Sequence, residues 1–395
     1  MRVVVLGAGY AGLSLARRLE RSLPESVELV LVDESGTHLV QHELHRVVRR
    51  PSLAEGIELP LSELLDRTEL IEAGVMAVDT DEQAIILDES GTESELSYEL
   101  GAVCLGARTA FYGLAGVREH ATPLKRIADA LAIREEFLEV TREDDEGRVV
   151  VGGAGLSGVQ VAGELAALAR EQGVAPEIVL LEREETVAPR FPGQFQRVVR
   201  DTLEASGVEV RTDCRVVGGD SGTVELADGS AVEYDQLVWT GGIRGSKALR
   251  DERPVVRADL RLVEGTFGLG DAVRVVDEDG EAVPASAQAA VRQAKVAAEN
   301  ISRLIEGGDG VFEPRLARYS FESPGWIVSV GDDAVAQVGR SVLTGAPARA
   351  LKATVGASYL TSVGAVANAA DVVYEELGLA GEDVPDDVEW PDRGP

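Results

Sequence analysis

Two runs of glycine carry the first chemistry in this chain. "VVVLGAGYAGLSLA" sets Gly7, Gly9 and Gly12 in the spacing G-x-G-x-x-G, and "VVVGGAGLSGVQVA" repeats it with Gly153, Gly155 and Gly158. In that spacing the first glycine allows a tight turn and the second lets backbone approach a pyrophosphate. The third lets a helix pack closely on a strand. The anion then rests on free N–H groups at the positive end of the helix. About 20 residues beyond each motif, an apolar run ends in an acid. These are Asp33 in "VELVLVD" and Glu182 in "EIVLLE". A carboxylate there accepts hydrogen bonds from ribose hydroxyls and repels a 2′-phosphate, so Glu182 favours NADH over NADPH. Arg183 beside it keeps NADPH as the lesser option. The alternative to each cradle is a glycine-rich structural turn with an incidental surface acid.

The elements that must hold these groups are legible around them. "RVVVL" and "RVVVG" are β-branched runs, expected as buried parallel strands, and "AGLSLARRLERS" and "GVQVAGELAALAREQG" follow as helices. Strand, glycines, helix, strand and acid occur in order twice, which predicts an α/β fold with two Rossmann-like domains. One dinucleotide would stay bound while the other comes and goes. A flavin and a nicotinamide make the natural pair, because hydride passes directly between them.

Length and charge narrow the partners. At 395 residues the chain suits two or three domains. It carries 69 acidic and 38 basic side chains for a net charge of −31, with lysine only at positions 125, 247, 295 and 352. Such a chain repels nucleic acid and, at low salt, an anionic membrane. A lysine-poor acidic composition is similar to that of proteins from very salty cytoplasm; an ordinary acidic enzyme is the alternative. Cys104 and Cys214 form no C-x-x-C, so a disulfide between them stays open but no redox dithiol is expected. The histidines suggest no metal site. Met1 leads straight into the first strand, and no apolar run suffices to cross a bilayer, so a cytoplasmic location is expected.

Further along stand "CLGARTAFYGLAGV" from Cys104, "LVWTGGIRG" from Leu237, "GTFGLGDAVRV" with Gly270 and Asp271, and "PASAQAAVRQAKVAAENI" from Pro284. In this order the chain resembles the two-dinucleotide flavoprotein reductases, and within them the type II NADH dehydrogenases, over nearly its whole length. The match includes A-Q-x-x-x-Q at Ala287, Gln288 and Gln293. The resemblance implies a split FAD-binding domain, residues 1–115 and 235–310, an inserted NADH-binding domain, 116–234, and a C-terminal α+β segment, 311–395, with an acidic tail. It implies FAD contacts from Gly7, Gly9, Ala11, Gly12, Asp33, Gly106, Ala107, Arg108, Gly270, Asp271, Ala287 and Gln288. NADH contacts fall to Gly153, Gly155, Gly158, Glu182, Gly241 and Gly242. Asp271 suits the ribityl hydroxyls, since a carboxylate cannot accept from a phosphate oxygen. Ser286 could cap the helix from Ala287 and aim its positive end at the flavin. Gln288 is expected near flavin and quinone, and Gln293 at the pocket rim or on the surface.

Two departures stand out. Gln160 occupies the place of a family glutamate, and glutamine hydrogen-bonds without titrating. Glu164 is acidic one turn later, but its surroundings suit packing or surface. "HLVQHELHRVV" lacks the family's aromatic and Pro-Leu-Leu; it reads either as a flavin-side segment with His42 or His45 as proton donor, or as a polar surface helix. Catalytic expectations therefore rest on Gln288, Gln160 and His42. In the C-terminal segment, Val355, Tyr359, Val363, Val366, Ala370 and Val373 form a helical stripe with a thin basic flank, Arg349 and Lys352. It suits a membrane foot on the inner cell-membrane face, core packing, or a second copy of the chain. The expected activity is hydride transfer from NADH to flavin, then electrons to a quinone-like acceptor. The rivals are a soluble reductase or oxidase using oxygen or a small electron-transfer protein, and a flavin-based NADH sensor.

Overall fold

The computed structural model describes residues 1–143, 147–307, 314–365 and 368–369. The chain begins β1 (Arg2–Leu6), α1 (Tyr10–Ser22), β2 (Glu28–Asp33), β3 (Glu69–Glu72) and β4 (Leu100–Val103). Val3, Val4 and Val5 of β1 and Leu31 and Val32 of β2 are fully buried, as parallel strands covered on both faces must be. Leu13, Leu15 and Leu19 of α1 are fully buried, each contributing roughly 1.5–3 kcal/mol by leaving water.

A second layered unit follows: β5 (Arg148–Gly152), α2 (Leu156–Gln172), β6 (Glu177–Leu181), β7 (Val208–Arg211) and β8 (Gln236–Trp239). The chain then returns to the first sheet with β9 (Arg261–Val263) and β10 (Thr266–Gly268), and α3 (Ala287–Glu306) packs along α1. The first sheet runs β9-β10-β4-β1-β2-β3, parallel except for the β9 edge. The second is wholly parallel, with Thr122–Pro123 at its edge, then β8-β5-β6-β7. Both switch direction beside their glycine-bearing strand, where α/β sheets bind ligands. The expected α/β fold with two Rossmann-like layers is the observed one. Residues 236–239, expected at the start of the second FAD-domain piece, instead complete the second sheet by pairing with β5.

The last described part is an antiparallel meander, β11 (Gly325–Val330), β12 (Asp333–Val338) and β13 (Ser341–Thr344), covered by α4 (Ala346–Ser362). The buried stripe of α4 is Ala348, Lys352, Gly356 and Leu360. The expected stripe through Val355 is corrected: Val355 is 52% exposed, because the row that starts at Ala348 faces the meander. Lys352 also turns inward, which leaves Arg349 alone as the basic flank. Val366, Ala370, Val373 and the acidic tail lie outside the described residues. Among the described residues, no helix is long and apolar enough to cross a membrane.

Candidate nucleotide site

The two glycine turns are built alike. Gly7 and Gly153 adopt φ +92° and +96°. Their N–H groups donate to Val32 O at 2.7 Å and Leu181 O at 2.8 Å. Ala8 N donates to Asp33 Oδ2 and Ala154 N to Glu182 Oε2, both at 2.7 Å. A Cβ on Gly12 would strike the Gly7 carbonyl, and one on Gly158 the Gly153 carbonyl. Gly9 and Gly155 behave differently, since a Cβ there would meet nothing within 4 Å. The first and third glycines are thus demanded by the protein's own packing, whereas the second opens onto the space a pyrophosphate would fill. Asp33 and Glu182 each keep carboxylate lone pairs for ribose hydroxyls after accepting these N–H bonds.

Each turn is backed by a neighbouring strand end. A Cβ at Gly7 would lie 2.7 Å from the Cys104 carbonyl, and at Gly153 2.6 Å from the Gly241 Cα. Thr240 Oγ1 reaches the carbonyls of Gly152 at 3.1 Å and Gly153 at 2.9 Å, and Trp239 Nε1 donates to Ala110 O at 2.9 Å. Gly241 thereby braces the second cradle, while Gly242 O accepts from Ala110 N at 2.9 Å. Arg108 and Thr109 pair with Arg244 and Ile243, linking the segment of Gly106 and Ala107 to the double glycine.

Gly270 and Asp271 close the first cradle from the far side. A Cβ on Gly270, itself at φ +62°, would lie 3.1 Å from Ala11 Cβ. Gly270 N donates to Gln293 Oε1 at 2.7 Å. Gln293 is 2% exposed, so the expectation of a surface position is corrected: it lines the cleft and buttresses this turn. Arg253, which sequence reasoning missed, donates to the carbonyls of Asp271 at 2.6 Å and Val273 at 2.8 Å. Ser286 caps α3 by accepting from Ala289 N at 3.2 Å, and Ala287 is the first helical residue. Arg253, Asp271, Ser286 and Gln293 line one small cleft here. Gln288 is half-buried, its Oε1 3.5 Å from Ser323 Oγ. Beyond Ser323, Trp326 meets Phe191 edge-on at 5.0 Å and Phe321 at 6.1 Å between ring centroids. Gln160 is half-buried on the first turns of α2, away from this cleft's lining.

Residues 38–48 are not a polar surface helix. They form a strand end, a 3-10 turn at Gln41–Glu43 and one helical turn, and they bury His38, Glu43, His45 and Arg46. His38 Nδ1 lies 2.7 Å from Ala8 O and its Nε2 2.8 Å from the Tyr359 hydroxyl. Burial holds the His38 imidazole down at about 4. Tyr10, inside the first glycine motif, accepts from His42 N at 3.1 Å, and its hydroxyl also bonds His42 Nδ1. His42 Nε2 faces Glu43 Oε1 at 3.5 Å. Burial raises the Glu43 carboxyl, but Lys352, His42 and Arg46 outweigh it and hold the group below the usual range. Arg46 Nη1 lies 2.9 Å and Lys352 Nζ 3.6 Å from its Oε2. Burial, then Lys352, keep His45 neutral; its Nε2 is 3.3 Å from Ser329 Oγ. Glu164 is 1% exposed and pairs with Arg49 Nε at 2.9 Å, so it packs the interior and is no surface group.

Both cysteines are free. Burial pushes both thiols up, against reactivity: Cys104 sits under the first glycine turn and Cys214 donates to Thr212 O at 3.3 Å.

Known proteins resemble this chain in sequence and fold. The type II NADH:quinone oxidoreductase of Staphylococcus aureus is 25% identical over 397 residues, spanning 92% of this chain and 96% of that one. The structure of NDH2 from Plasmodium falciparum in complex with NADH superposes with a TM-score of 0.82 at 14% identity, over 95% of this chain and 97% of that one. The sulfide:quinone oxidoreductase of Aquifex aeolicus gives 0.77 at 18% identity, over 93% and 92%. At these identities the two structures show a shared fold. Residues 1–294, which hold both cradles, match the pyridine nucleotide-disulphide oxidoreductase family, and the chain belongs to that family.

Proposed function

We propose that the protein is an FAD-dependent NADH:quinone oxidoreductase, with FAD held by the first cradle and NADH visiting the second. The observation that carries this reading is the duplicated cradle, in which only the second glycine of each motif faces open space. Similarity to the Staphylococcus aureus enzyme along nearly both full lengths supports the acceptor class. The domain division follows the sheets: residues up to about 115 and from about 241 bind FAD, and the intervening residues bind NADH.

FAD, when bound, would supply a ring able to accept hydride from NADH and pass two electrons to the acceptor. The chain's own residues position and protonate. Asp33 and Glu182 would hold the two riboses, and the N-termini of α1 and α2 would receive the two pyrophosphates. Asp271 would bond the ribityl hydroxyls, and Arg253 and Gln293 fix its turn. The positive end of α3, with Ala287 and Gln288, favours negative charge on the pyrimidine edge. The Phe191, Phe321 and Trp326 rings beyond Gln288 offer flat apolar faces to a quinone.

Quinone reduction by NADH consumes one proton from water. Gln160 cannot supply it. His42, 31% exposed, stands between the Glu43 carboxylate and the Tyr10 hydroxyl. It would hold a proton taken from water there and release it toward the acceptor, returning to the neutral imidazole.

The test is spectroscopic. The purified protein should be yellow, bleach with NADH under anaerobic conditions, and recover colour rapidly with a soluble ubiquinone or menaquinone analogue. Recovery with oxygen alone would redirect the reading to an oxidase, and no rapid recovery with any acceptor to a sensor.

A further inference from the structure

The two cradles differ at one atom. In the second, the Ala154 carbonyl accepts from a backbone donor of the same unit, Ala188 N, at 2.8 Å. In the first, the matching Ala8 carbonyl is held by a side chain, His38 Nδ1, at 2.7 Å. Nδ1 must carry the proton to face a carbonyl, so Nε2 of the neutral ring is an acceptor. Tyr359 of α4, 321 residues away, supplies the hydroxyl that donates to it at 2.8 Å. The residue whose N–H binds the Asp33 carboxylate therefore has its carbonyl tied, through one imidazole, to the C-terminal helix.

We propose that Tyr359 and His38 are positioning residues for FAD: docking of α4 fixes the first glycine turn through the chain Tyr359–His38–Ala8 and so sets how tightly the cofactor is held. The proposal rests on the assignment of FAD to the first cradle. Helix α4 packs chiefly on its own meander, and Tyr359 reaches the cradle from it through this tie and through its ring contact with Tyr10 at 4.8 Å between centroids. Lys352 with Glu43, two turns earlier, is another link. The His38–Ala8 bond is buried and the Tyr359–His38 bond partly so, where removing one partner exposes much of the cost of the orphan left behind.

Because His38 titrates, the tie is sensitive to acid. The groups facing the imidazole are Tyr359 from α4, Tyr10 from α1 at 5.4 Å between centroids, His42 from the following turn, and Asp33 from the end of β2. A second proton on the ring would sit on Nε2 and displace the tyrosine as donor.

The experiment uses the yellow holoprotein. Wild type, Tyr359→Phe, His38→Asn and the double variant are diluted into FAD-free buffer, and release is followed as the rise of flavin fluorescence. Asparagine keeps an N–H near the position of Nδ1 but cannot reach Tyr359. Each single variant is expected to release FAD about tenfold faster, and the double no faster than either single, because both remove one tie. Hydrogen exchange across residues 346–362 should quicken in both. Leu360→Ala, which loosens the same helix but leaves the tie, should lower the melting temperature without speeding release. Wild-type release should also accelerate as pH falls toward 4, and His38→Asn should lose that acceleration. Wild-type release rates in both single variants, or effects that multiply in the double, would overturn the tie while leaving the FAD assignment intact. A wild-type protein that binds no FAD would overturn the assignment itself.

Discussion

Gly9 and Gly155 allow cofactor binding to be perturbed without touching the fold. Both are N-caps with ordinary extended backbone, φ −66° and −67°, so alanine fits each without strain. Losing glycine at an N-cap costs a few tenths to about 1 kcal/mol, and the stiffer unfolded chain returns about 0.4–1 kcal/mol. The melting temperature should therefore hardly move. The new methyl projects into space where no protein atom lies within 4 Å. If a pyrophosphate rests there, the intrusion costs about 1–3 kcal/mol, or roughly 5- to 150-fold in affinity. Gly155→Ala should raise the KM for NADH by that factor in an NADH–quinone assay, with FAD content unchanged. Gly9→Ala should instead lower FAD content and leave the KM of the remaining holoprotein alone. The contrast is with Gly12→Ala and Gly158→Ala, which drive a methyl into a carbonyl and should cost folded yield. Unchanged NADH affinity in Gly155→Ala, measured at normal FAD occupancy, would refute the role given to the open glycine.

Four other outcomes follow from the same geometry. Glu182→Gln removes the charge that repels a 2′-phosphate, so the ratio of NADPH to NADH kcat/KM should rise about tenfold; an unchanged ratio would take Glu182 out of discrimination. Cys104→Ser/Cys214→Ser should keep NADH–quinone turnover, and a severalfold loss of kcat would contradict the free, unreactive thiols. Lys352→Met leaves Glu43 with Arg46 but short of one buried cation and should cost about 3 kcal/mol in urea unfolding; an unshifted midpoint would remove the pair from stability. For His38, folded near 4 and about 6.5 when unfolded, protonation makes no difference above pH 6.5. Between 6.5 and 4 the unfolded chain takes up the proton, so folding weakens by about 3 kcal/mol as pH drops, and His38→Asn should flatten that slope in a melting-temperature profile.

What could be read beforehand follows the reach of local geometry. The glycine turns, their helices, the acids at β2 and β6 and the Ser286 cap are short-range motifs whose spacing is set by one crossover or one helical turn. Partners distant in sequence left no such mark. Nothing near His38 announces Tyr359, and nothing near Lys352 announces Glu43. Gln293 resembled a surface residue because its partner is a backbone N–H on another loop. Residues 236–239 pair with β5 and not with the sheet entered next, a choice that only the register reveals. Tyr10 was the one missed residue with a local cue, since it sits inside the first glycine motif.

The uneven sourcing of the two cradles has a consequence for biosynthesis. Among the described residues, the backbone groups in contact with the second glycine turn come from residue 241 or earlier, so that turn can form while the ribosome is still adding the rest. The FAD turn recruits Gly270, α3 and finally Tyr359, the last of which emerges near the end of translation. If the first cradle holds FAD as proposed, the order of assembly would reverse the order along the chain: the second pocket would mature first, and flavin loading would wait for the C-terminal helix.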